Sequence, residues 1–131
     1  MFALATVALA ATVGLFGCRS TPTDIPTDLD PEEYFQRAQE AVVERSDYKT
    51  ALFYYETFLD RFSDDIQLVV QAEYEIAFTH YKLGDYDLAR GEFNALLERY
   101  KADDAQLLPR WPLVLTQKIL GKMDEAATAA K

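Results

Sequence analysis

One cysteine and one histidine, Cys18 and His80, stand in a chain of 131 residues. A single thiol rules out an internal disulfide and a multi-cysteine metal site. A single imidazole leaves nothing to build a histidine metal cluster or a histidine-centred catalytic relay. Two acidic pairs, Asp64-Asp65 and Asp103-Asp104, have the composition of a cation or acid–base site, yet no EF-hand spacing surrounds either. Each stands where a helix is expected to begin, and there a carboxylate favours the free amides and the helix dipole. Capping is therefore their expected role, and His80 is expected to be structural. The phosphate-binding loop, the nucleophile elbow and the paired-histidine zinc motif are all missing from the chain. Neither catalysis nor a bound metal or cofactor is expected. With 22 acidic against 13 basic residues the formal charge is −9, which sets nucleic acid and a bare anionic membrane surface aside as main partners.

Cys18 is the one side chain placed for chemistry. Phe2 to Phe16 is apolar or small, broken only by Thr6, Thr12 and Gly14. That run is short for a membrane-spanning helix, which takes about 20 residues, and it suits the apolar part of a secretory signal. It ends in Leu15-Phe16-Gly17-Cys18, which resembles the lipobox of bacterial lipoproteins. The resemblance implies a signal peptide over residues 1–17 and a covalent lipid on Cys18, the new amino terminus. The implied anchor carries several acyl chains, which hold a protein on a bilayer where one chain does not. On the residues alone, the other reading is an N-terminal helix with an incidental cysteine.

Arg19 to Asp30 holds Pro-Thr-Asp twice and has no apolar period. Prolines oppose both helix and central strand, and so polar a composition does not offset its ordering entropy by burial. Residues 18–30 are expected to form the lipidated cysteine and a flexible tether. Twelve residues reach at most about 40 Å when extended.

From Pro31 onward the apolar spacing becomes helical. Asp30-Pro31-Glu32-Glu33 is a helix start, and Tyr34, Phe35, Ala38, Ala41 and Val42 follow at intervals of three and four. Further helices are expected from Tyr48 to about Phe62, from Ile66 to Leu83 and from Tyr86 to about Tyr100. Between the last two stands Leu83-Gly84-Asp85-Tyr86-Asp87-Leu88-Ala89, a glycine stop followed at once by an aspartate start. Arg45-Ser46-Asp47-Tyr48 and Leu120-Gly121-Lys122-Met123 are weaker copies, and the intervals from Ser46 to Gly84 and on to Gly121 are nearly equal. Such self-similarity marks a stacked helical array. Pro109 and Pro112 are expected near the start of the third repeat's first helix, and Asp124 to Lys131 is expected to form a second helix of only two turns.

These residues resemble the tetratricopeptide family. Ile76, Ala77, Gly84, Tyr86, Ala89 and Phe93 occupy its signature positions in the second repeat. Ala38, Tyr48, Ala51 and Tyr55 do so in the first, and Leu113, Gly121 and Ala126 in the third. The lengthened repeats are similar to those of periplasmic lipoproteins of the outer-membrane β-barrel assembly machinery and of a periplasmic cell-division coordinator. The resemblance implies an all-α array of helical hairpins over residues 31–131, two full repeats and a truncated third. It also implies a peptide-binding groove along the first helix of each repeat. Carried onto this chain, the groove residues are Tyr74, Phe78, Tyr81, Lys82, Trp111, Leu115 and Lys118, beside an acidic lip that includes Glu40 and Glu44. Aromatic anchors on such a face are common interface hot spots. The competing reading is that these aromatics fill the space between helices.

The expected function is that of a non-catalytic, membrane-anchored adaptor. It would hold an envelope protein or peptide, in outer-membrane protein assembly among other settings, with the lipid in the outer membrane, periplasmic face. Two alternatives use the same residues: a transporter-associated protein with a small hydrophobic ligand in the groove, and a structural lipoprotein that self-associates through its third repeat.

Overall fold

The computed structural model describes residues 24–130. The expected signal peptide, Cys18 and the first part of the expected tether lie outside the described residues. Five α-helices follow in order: α1 (Pro31–Arg45), α2 (Tyr48–Arg61), α3 (Ile66–Leu83), α4 (Tyr86–Arg99) and α5 (Arg110–Ala129), with a single 3-10 turn at Ala105–Leu107 before α5. The fold is an all-α array of helical hairpins. Each helix packs on its chain neighbours, and α5 also rests on α3.

Local chemistry sets the boundaries. The Asp30 amide donates to the Glu33 carboxylate at 2.9 Å across the first turn of α1. Asp47 accepts from the Thr50 amide at 3.1 Å, and Asp65 accepts from the Leu68 amide at 3.1 Å. Asp85 makes no such side-chain bond. The tight turn before it rests instead on Gly84, whose φ of 89° is left-handed. There the Asp85 amide donates to His80 and the Gly84 amide to Tyr81, a Schellman closure. Ser46 takes the equivalent left-handed position with φ 52°. The two turns are thus in register, as their spacing in the sequence predicts.

Two apolar clusters share α3. Tyr34, Ala38, Tyr55 and Phe58 meet Val69, Ala72 and Ile76 in the first, and Val70, Tyr74 and Ala77 meet Phe93, Leu96 and Met123 in the second. A middle helix of an array must be apolar on two sides, so α3 carries a wider stripe than an ordinary amphipathic helix.

Two expectations are corrected. The tether is not free along its whole length: Ile25 and Leu29 are buried in the first cluster. The Arg61 guanidinium donates to the Pro26 carbonyl at 3.0 Å and to the Tyr34 hydroxyl. Two aliphatic side chains four residues apart supply enough burial to seat a segment that proline had already stiffened. The third hairpin turn does not form either. Helix α5 runs straight through Gly121. Beyond the equivalent turns, α2 and α4 bring Phe58 and Phe93 back to the core. Past Gly121 only Met123 is large and apolar, and it is already buried against the second cluster. Continuing the helix keeps its backbone bonds and uses the alanines' helix propensity. The Arg90–Asp124 ion pair, at 2.7 Å, holds the straight segment to α4. At its other end α5 starts where expected, and the Tyr100 hydroxyl donates to the Pro109 carbonyl at 2.7 Å.

Candidate protein-binding groove

The expected groove residues come from α3 and α5, and the structure brings most of them together. At i, i+4 and i+7, Tyr74, Phe78 and Tyr81 lie along one face of α3. Tyr74 and Phe78 are stacked at 5.9 Å between centroids, and Phe78 and Tyr81 at 6.1 Å. Trp111 meets Tyr74 edge-on at 5.1 Å, and Tyr86 meets Tyr81 edge-on at 5.6 Å. The result is a continuous row of five rings: Trp111, Tyr74, Phe78, Tyr81 and Tyr86. Edge-to-face and offset contacts of this kind are the favoured ones.

Exposure divides the row. Tyr74 is only 5% exposed and belongs to the core, where it backs Trp111 rather than offering a surface of its own. Phe78 and Tyr81 are half-buried, while Trp111 at 38% and Leu115 at 37% stand open. Lys118 is exposed, with Trp111, Leu115 and Lys118 at successive turns of α5. Lys82 is exposed and lines a second feature. Tyr86 was legible as the aromatic of the hairpin turn, but nothing in the spacing tied it to the groove.

That second feature is a cleft of about 300 Å³ between α1, α2 and α3. Val42 and Val43 line it from α1, Tyr48 and Tyr55 from α2, and Glu75, Phe78 and Lys82 from α3. Phe78 is common to the cleft and the aromatic row, so the two form one surface. Val43 is 82% exposed at the rim. Within the expected acidic lip, Gln36 bonds Glu40 at 2.8 Å and Glu44 pairs with its neighbour Arg45.

Glu75 is the residue that sequence reasoning missed. Burial holds its carboxyl above the usual carboxylate range. Burial and the nearby Glu75 charge push Tyr55 upward and Tyr74 up to about 12. Among the described residues no cationic side chain pairs with Glu75. The signal was a carboxylate inside an otherwise apolar stretch, Tyr74-Glu75-Ile76-Ala77-Phe78, on a helix packed on two sides.

Elsewhere the charged groups are used to join helices. His80 meets Glu92 at 2.8 Å between α3 and α4, and Arg99 pairs with Glu73 between the same two helices. A cleft of about 500 Å³ between α2, α3 and α4 holds Glu56, Glu73, Glu92 and Arg99. Among the described residues no group of three or more His, Cys, Asp or Glu side chains is arranged to hold a metal ion. Among them, too, no helix is long and apolar enough to cross a membrane.

No family model and no solved structure matches the chain. It is similar to an uncharacterized protein of Treponema pallidum (strain Nichols), at 34% identity over 104 residues. The match takes in 78% of this chain and spans 41% of that protein.

Proposed function

We propose that this protein is a membrane-anchored, non-catalytic adaptor of the tetratricopeptide type. It is lipidated at Cys18 and holds an extended segment of another envelope protein along the face formed by α1, α3 and α5. The observation that carries the reading is the row of rings from Trp111 to Tyr86, exposed at Trp111 and Tyr86, half-buried at Phe78 and Tyr81, and continuous with the cleft beneath Val43. Buried row members fix the geometry of exposed ones, so little rotamer freedom is lost on contact. Aromatic side chains so held are the usual centres of interface energy. The cleft is near the lower limit for small-molecule sites, which favours single side chains of a peptide over a solute. The apolar run ending at Cys18 supports the anchor.

Two experiments test the two halves. Labelled palmitate is expected to enter the wild-type chain and not Cys18→Ala; label in the variant, or none in the wild type, removes the anchor. For the groove, a photo-crosslinking residue is placed at Trp111, Tyr81 or, as control, Glu125 in native membranes. Protein adducts are expected from Trp111 and Tyr81 alone. Equal yield at Glu125, or none at the groove positions, overturns the adaptor reading.

A further inference from the structure

The cleft between α1 and α3 contains a charge that the fold itself leaves unanswered. Glu75 sits half-buried in the cleft lined also by Tyr55 and Phe78, with no cation on it among the described residues. Lys82, the cationic wall residue, stands seven positions along α3, about 10 Å by helix rise. A carboxylate partly withdrawn from water and without a cationic partner carries a desolvation cost, and a cation of the right reach offsets it. Val42 and Val43 offer an apolar channel above it. Such a channel suits the methylene stem of a long basic side chain, which lies along apolar surface while its head reaches a polar group. The half-buried Phe78 ring in the same cleft gives a guanidinium or ammonium a further favourable contact.

We propose, resting on the adaptor reading above, that Glu75 sets the specificity of the groove. It receives a lysine or arginine side chain of the bound peptide, and an aliphatic neighbour of that residue lies on Phe78 and Val43. The occupant is thus a basic-aliphatic peptide segment, and the chain's net charge of −9 steers such a segment toward it.

The test uses the full chain in detergent, probed against an array of random twelve-residue peptides. Selected sequences are expected to be enriched in Lys or Arg next to Leu, Ile or Val. One selected peptide, measured in solution, is expected to bind Glu75→Gln at least tenfold more weakly, a change of 1.4 kcal/mol. Glu125→Gln removes the same charge from an exposed site on α5 and is expected to change binding less than twofold. Circular dichroism of Glu75→Gln checks that the array stays helical, and a second variant, Glu75→Asp, is expected to recover part of the preference. Selection of neutral or acidic peptides, or an unchanged basic preference in Glu75→Gln, overturns the assignment. So does equal weakening in Glu125→Gln, which would show attraction by net charge only. If peptides bind and Trp111→Ala weakens them without any basic preference, the adaptor reading stands and this one falls. If no peptide binds, both fall.

Discussion

Ser46 takes the left-handed turn that Gly84 takes in the second hairpin, and a β-carbon in that conformation costs about 1–2 kcal/mol. Ser46→Gly removes the strain but adds freedom to the unfolded chain. The expected net gain is about 0.5–1 kcal/mol in chemical denaturation; a loss would show that the Ser46 side chain contributes something the geometry does not reveal. Glu75 makes the opposite kind of residue-scale statement, because its cost depends on pH. Burial raises its folded-state pKa above the ordinary value of 4.5. The linked stability is fully present below that ordinary value and is lost as pH rises through the raised one. Around the group, α2 sets Tyr48 and Tyr55 and α3 sets Tyr74 and Lys82, while α1 offers Gln39 and two valines and no titratable group. Glu75→Gln is thus expected to stabilise the free protein at pH 7, on the order of 1 kcal/mol. The gain should shrink as the pH falls toward 4.5. A gain that does not change with pH would mean that packing, not charge, was altered.

At the scale of elements, the two glycines at matching repeat positions should respond with opposite signs. A β-carbon meets nothing within 4 Å at either Gly84 or Gly121, so backbone conformation alone decides the outcome. Gly84→Ala places a side chain at a φ of 89° and is expected to cost about 1 kcal/mol. Gly121 lies inside α5, and Gly121→Ala is expected to stabilise by about 0.5–1 kcal/mol through helix propensity. Thermal unfolding of both variants checks the pair; destabilisation by Gly121→Ala would mean that the third hairpin turn forms after all. The starts of α1 to α4 were legible because caps, proline and apolar period agree there. The straight α5 was not, since a turn motif records where a chain is able to reverse. Whether it does reverse depends on what the next segment has to bury, and Asp124 to Ala130 has little. The seating of residues 24–30 was hidden for a related reason: Ile25 and Leu29 read as strays in a polar segment until Arg61 and the first cluster are set against them.

The whole molecule is two apolar clusters in series, joined through α3. The aromatic row of the candidate site was partly legible for that reason. One helix face that repeats along an array predicts Trp111, Phe78 and Tyr81 together, but does not say which ring of the row is sunk, as Tyr74 is. Depth depends on how far α5 leans on α3, which no pattern within one helix records. The serial layout also predicts how the molecule loses its structure. Where repeats contact only their neighbours, stability is approximately a sum of local and interface contributions, so damage stays near its source. Phe93 is fully buried in the second cluster, and Phe93→Ala is expected to cost about 3–5 kcal/mol. Hydrogen exchange of this variant should quicken most in α4 and α5, less in α3, and least in α1 and α2. The latter pair keeps Phe58, Tyr34 and the seated Ile25–Leu29 segment. Phe58→Ala, in the first cluster, should reverse that order, since α4 and α5 retain Phe93 and Leu96. Uniform acceleration across all five helices in both variants would show instead that α3 binds the two clusters into one cooperative unit.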